Sequence, residues 1–122
     1  MAVILVGLAL PLTRPCRAAP ADDGDLAALQ AEVKKSFRDQ VTPFVRTYCV
    51  GCHGNRKSKA GVNFQPGLKY PGNPGFSKHW KQGRINVKAH DMPPEEADKQ
   101  PTDEERQMFV DVIAKLKFLS PP

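Results

Sequence analysis

Residues 54 to 83, "GNRKSKAGVNFQPGLKYPGNPGFSKHWKQG", hold six glycines and three prolines and show neither a helical nor a strand period. That stretch constrains the fold of a 122-residue chain more than any other. A domain of this size buries only about two thirds of its unfolded surface, so a long segment that contributes little core leaves the interior under-filled. A structureless loop of that length counts against a compact domain unless something orders it. The middle of the molecule therefore calls for a bulky apolar partner that is not polypeptide, with Phe64, Tyr70, Phe76 and Trp80 as the anchors that pack on it.

The flanks read differently. Leu26, Leu29, Val33, Phe37 and Val41 recur every three or four residues, the spacing of a helix with one buried stripe, and Asp25 is placed to cap its start. Thr42 and Pro43 interrupt it. Proline suits a first helical turn and Thr42 can cap that turn, so a second short helix is expected from Pro43 into "YCVGCH", with Phe44, Val45 and Tyr48 turned inward. "RINVKAH", residues 84 to 90, reads as one turn of helix or a short extended piece. "DMPPEEADKQP" after it is stiffened by Pro93, Pro94 and Pro101. The last helix, in "TDEERQMFVDVIAKLKFL", has Thr102 as N-cap and Glu105 three residues on, as a capping box requires. Its buried face is Met108, Phe109, Val112, Ile113, Leu116 and Leu119. No repeat and no low-complexity block interrupts this all-α pattern.

The N-terminus predicts export. "AVILVGLALPL" is an apolar run too short to span a bilayer, which takes about 20 residues, and it is followed by small residues. Residues 1–21 fit a secretory signal peptide cleaved after Ala21, with Ala19 and Ala21 meeting the small-residue rule, although no Lys or Arg precedes the run. The mature part, residues 22–122, is then a single periplasmic domain with no transmembrane anchor. Cys16 is lost with the leader, leaving Cys49 and Cys52.

Those two cysteines stand in "TYCVGCHGN", and three chemistries compete for them. A disulfide between them closes too short a loop to constrain the unfolded chain, and a redox dithiol belongs in a βαβ setting that this chain lacks. Structural zinc needs four ligands; here His79 or His90 would have to join Cys49, Cys52 and His53, and a histidine directly after a ligating cysteine is awkwardly placed for the same tetrahedron. C-x-x-C-H reads instead as c-type haem attachment, with both thiols adding across the vinyl groups and His53 coordinating the iron. One covalent haem c is also the bulky apolar partner that the middle of the chain requires. Met92, 39 residues after His53 and braced by Pro93 and Pro94, is the expected sixth ligand. Met108 belongs to the apolar stripe of the last helix, and His79 and His90 are competitors that would lower the reduction potential relative to a methionine.

"FRDQVTPFVRTYCVGCHGNRKSKAGVNF", Trp80, "DMPP" and "QPTDEERQMFVDVI" together resemble the Planctomycete-type cytochrome c domain, a branch of the class I cytochrome c family, over about residues 37 to 116. The resemblance implies a class I cytochrome c-like fold of three to four helices and long loops wrapped around the haem, with the first and last helices crossing near their ends. It implies thioether links at Cys49 and Cys52, His53 as proximal and Met92 as distal ligand. The chain departs from the family in lacking an acidic residue shortly after Phe64.

Six-coordinate iron leaves no position for a substrate, so the expectation is a monohaem electron carrier, with no catalytic residue. A haem-based gas sensor, in which Met92 yields its place, and an accessory subunit of a periplasmic oxidoreductase are the alternatives. Twelve Lys or Arg against one acid, Asp39, lie between Lys34 and Lys88, and eight acids against two basic residues between Asp91 and Asp111. Such asymmetry predicts a basic rim that steers a monomer to the acidic docking face of a redox partner, with a salt-sensitive on-rate. Nucleic acid is disfavoured as a partner, because no groove-reading motif accompanies the charge.

Overall fold

The computed structural model describes residues 23–119 together with Gly7, Leu10, Pro11, Thr13, Pro15 and Cys16. The cleavage point expected after Ala21 lies outside them. Helix α1 spans Asp23–Ser36 and α2 spans Thr42–Tyr48, with a π-helical turn, Phe37–Val41, between them. Chain order then gives α3 (Gln65–Lys69), α4 (Ser77–Lys88) and α5 (Asp103–Ala114). Short 3-10 turns lie at Lys59–Gly61, Pro74–Phe76 and Leu116–Phe118. The described residues form no strand; one isolated bridge joins His53 and Ser58.

Pro43 does not break the first helix. Its missing N–H orphans a carbonyl and its ring would clash with the carbonyl four residues back. The chain widens instead, and the Thr42 N–H donates to Phe37 O, five residues back. Thr42 has helical dihedrals and caps nothing. α1, the π turn and α2 thus continue as one rod. Asp25 lies within the first turn of α1 beside Asp23, where negative charge suits the helix dipole, and is not its cap. Only the later part of the predicted stripe is buried: Val33, Phe37 and Val41 are at most 2% exposed, whereas Leu26 faces solvent. Phe44 and Val45 are buried as expected.

The central stretch differs most from expectation. Two helices occupy it, and α4 runs from the expected loop on into residues 84–88, where the sequence reads as one turn of helix or a short extended piece and the helix is what forms. Its inward stripe is Trp80, Gly83, Arg84 and Val87, the right spacing in the wrong residue types. Gly83 faces the Phe64 ring, whose nearest atom would lie 3.5 Å from a Cβ built there, an ordinary contact, and Arg84 Nε donates to Val110 O at 3.1 Å. Trp80 packs edge-on to Phe37 and against Phe64, with centroids 5.5 and 5.3 Å apart. Of the four expected anchors, Phe64 and Trp80 are buried, Phe76 is half-buried and Tyr70 is exposed. Tyr70, directly after α3, lies on an open groove beside Lys34 and Arg46 instead.

α5 carries its capping box: Glu105 N–H donates to Thr102 Oγ1 at 3.1 Å and Thr102 N–H to Glu105 Oε2 at 2.8 Å. It packs along α4 and against the π turn, and its Phe109 ring stacks on Phe44 at 4.7 Å. The α-helix ends at Ala114, earlier than its apolar pattern, which is completed by the 3-10 turn. Gln30 Nε2 donates to Phe118 O at 2.9 Å and brings the two ends of the described chain together. Burying side chains such as Phe37, Phe44 and Phe109 contributes roughly 1.5–3 kcal/mol each, so this junction is the mechanical frame of the domain.

Candidate functional site: one cavity between two walls

Cys49 ends α2, its N–H donating to Val45 O at 2.9 Å. The chain then makes one more turn, in which Cys52 and His53 N–H both donate to Cys49 O, at 3.2 and 2.8 Å. Gly54 follows because nothing larger fits: a Cβ there would stand 2.5 Å from Val50 O and 2.8 Å from Val50 Cγ1. The segment then folds back, with Gly54 N–H donating to Lys57 O and Phe64 N–H to His53 O. Lys59 O lies 3.0 Å from His53 Nδ1. A carbonyl can only accept, so Nδ1 carries the proton and the Nε2 lone pair of the neutral ring is left for a ligand bond.

Opposite lies a wall from the segment after α4. Cys49, Cys52, His53 and Met92 all line one cavity of about 430 Å³, within the range of cofactor sites. Val45, Val62, Phe64, Trp80, Val87, Pro93 and Phe109 supply most of its apolar surface, Lys59 and Lys78 are its charged residues, and no carboxylate lines it. Of the competing ligands, His79, in the first turn of α4, lines the cavity, while Met108 and His90 do not. Met108 packs against the core, and His90 is exposed, 4.0 Å from Asp103. Met92 is itself 36% exposed. A larger open groove lies elsewhere, lined by Lys34, Arg46, Lys69 and Tyr70 among others, and contains none of the four site residues.

Burial pushes the Cys49 thiol up to about 12. A dithiol that attacks disulfides needs the opposite shift, toward thiolate, so the structure gives the redox reading no support. A thioether, being neutral and apolar, suits the same surroundings. For zinc, no group of three or more His, Cys, Asp and Glu residues among the described residues is arranged to hold a metal ion. Trp80 on the cavity wall has a buried Nε1 donor without a partner. A flat apolar group, as haem is, fits the lining; the Trp80 donor has no accessible surface toward the cavity and plays no part in that fit.

Sequence reasoning missed two contributors. One is the carbonyl of Lys59, which no side-chain pattern could announce. The other is Arg106, at 7% exposure the buried charged residue among those described, whose Nη1 donates to Met92 O at 2.9 Å. Its signal was available, since position 106 falls on the apolar face of α5. Tyr48, also on the wall, donates its hydroxyl to Glu105 Oε2 at 2.9 Å and ties α2 to the start of α5. Among the described residues no helix is long and apolar enough to cross a membrane. Comparison with family models, with curated proteins and with solved structures finds no match.

Proposed function

We propose that this chain is an exported monohaem c-type cytochrome of class I fold, similar to the Planctomycete-type domain, that passes single electrons between redox proteins. One observation carries the reading: a C-x-x-C-H turn and a methionine 39 residues further on line the same apolar cavity. Cys49 and Cys52 would hold haem c covalently, and His53 and Met92 would ligate the iron. Bound haem supplies a one-electron ferric–ferrous couple.

The chain's own residues have the complementary tasks. Lys59 O fixes the tautomer and ring orientation of His53 and raises its basicity as a ligand. Phe64, Val87, Trp80 and Phe109 exclude water from the apolar part of the cavity, which lowers the reorganisation that accompanies a change of charge. Lys59 and Lys78 at the cavity, with exposed Arg56 and Lys57 beside it, form the basic rim suited to an acidic partner.

The test is the mature protein produced in the periplasm with c-type maturation, whose intact mass should exceed that of the polypeptide by one haem. Met92→Ala should keep that mass, lose the long-wavelength charge-transfer band of thioether–iron(III) coordination, bind CO readily and show a lower potential. If instead potential and CO reactivity are unchanged, the axial assignment moves to His79, the remaining candidate ligand that lines the cavity. Met92 is part-exposed, which favours testing the gas-sensor alternative with the same assay: wild-type protein that binds CO readily and lacks the band supports it.

A further inference from the structure

We infer that Arg106 is a positioning residue: its guanidinium latches the Met92 segment onto the cavity, and its charge raises the reduction potential of the centre beside it. The second half rests on the haem reading above; the latch does not.

Arg106 is the fourth residue of α5, yet it is buried at a position where Phe109, Val110 and Ile113 continue the apolar face. Its two terminal nitrogens bind three separate pieces of chain. Nη1 donates to Val87 O at 3.2 Å, near the end of α4, and to Met92 O at 2.9 Å; Nη2 donates to Gln100 Oε1 at 3.0 Å. Gln100 turns its Nε2 back to Pro94 O at 2.7 Å. On the near side, Asp91 and Met92 N–H both donate to Asn86 O, at 2.9 and 3.3 Å. The segment from Asp91 to Pro94 is thus held by α4 at one end and, through Arg106 and Gln100, by α5 at the other. It has no helix of its own to hold it.

Every acceptor of the guanidinium is neutral. The ion pairs among the described residues involve Lys35, Arg38 and His90, not Arg106. An apolar side chain at this position would pack α5 on α4 without the cost of desolvating a charge. What it could not do is grip the Met92 carbonyl from the far side of the segment. The fork geometry of arginine also serves several acceptors at once, which a lysine cannot reproduce. A buried positive charge without a counter-carboxylate disfavours further positive charge nearby, so it favours reduced iron over oxidised.

The experiment uses the matured holoprotein and the variants Arg106→Met, Arg106→Lys and Gln100→Ala, read by amide hydrogen exchange, optical spectrum and redox titration. Arg106→Met should speed exchange at the Asp91 and Met92 amides by about tenfold or more, with the interior amides of α5 unchanged. It should also weaken the thioether–iron(III) band and lower the potential. Arg106→Lys should restore most of the potential but not the slow exchange, which separates charge from grip. Gln100→Ala, which leaves the buried charge in place, should show a smaller acceleration and serves as the test if Arg106→Met does not fold. Unchanged exchange at Asp91 and Met92 in a folded variant lacking either side chain overturns the latch, and equal potentials for the Met and Lys variants overturn the charge effect. A wild-type protein with no thioether band, in which Arg106→Met still accelerates exchange, sinks Met92 as ligand and leaves the latch standing. The band with unaltered exchange does the reverse.

Discussion

The two walls of the cavity are built by opposite means. On one, Cys49, Cys52 and His53 sit within five residues just after α2, and the hydrogen bonds that shape them run mostly to Val45, Cys49, Lys57 and Lys59, a few positions away, with Phe64 as the longer tie. On the other, Met92 has no helix of its own and is held by Asn86 on α4 and Arg106 on α5. The first wall is a local structure that its own turn maintains. The second exists only once two distant helices have packed. Stiffness should differ accordingly, with the C-x-x-C-H side opening only on global unfolding and the Met92 side opening below it.

The largest effect should come from removing the proposed cofactor's attachment to the local wall. Replacing both Cys49 and Cys52 by Ser should yield a polypeptide of uncoloured mass and a much lower melting temperature, since the cavity loses its filler. In the unsubstituted matured protein, neither thiol should react with alkylating reagents even after denaturation. Reaction at either position would mean free cysteines and no thioethers. Next in size is Gly54→Ala, which sets a methyl group against Val50 O and should cost about 1–3 kcal/mol as overpacking does. At roughly 4–8 °C per kcal/mol for a domain of this length, a calorimetric scan resolves it. A drop there with Met92 exchange unaltered keeps the walls independent, whereas equal loosening of both abolishes the distinction.

The smallest effect joins the walls through α5. The Thr102 N–H first, and then the Tyr48 hydroxyl, hold the Glu105 carboxyl below its ordinary range, and the same contact raises the Tyr48 hydroxyl. A carboxyl lowered in the folded state stabilises at pH values above its unfolded value and ceases to do so as pH falls through the lowered one. For Tyr48 the sign reverses: the stabilisation is present below the unfolded value and is lost as pH rises through the raised one. Urea midpoints of Glu105→Gln should therefore lie below wild type at neutral pH and converge with it in acid. Equal gaps at both pH values would show that Glu105 acts by packing alone.

Reading from sequence to structure succeeded where the physics is short-range. The capping box at Thr102 and Glu105, the inward Phe44 and Val45, and the turn through Cys49 to His53 all depend on residues a few places apart. Misreadings arose where a long-range partner overrode local signals. α4 hid behind Gly83 and Arg84, neither of which reads as a core residue; Arg84 finds its partner, the Val110 carbonyl, 26 residues away. Pro43 looked like a stop because the π turn that accommodates it is a property of the continuing rod, which is anchored by Phe37 and Val41.

Residue order alone established an all-helical chain with a C-x-x-C-H turn, because helix periodicity, caps and tight turns are contests among neighbours in the chain. Packing divided Met92, Met108, His79 and His90, setting Met92 and His79 on the cavity and the other two away from it. That division depends on where α4 and α5 come to rest against each other. It also depends on a buried guanidinium whose acceptors lie up to 19 residues away along the chain, a separation at which no sequence pattern specifies contact.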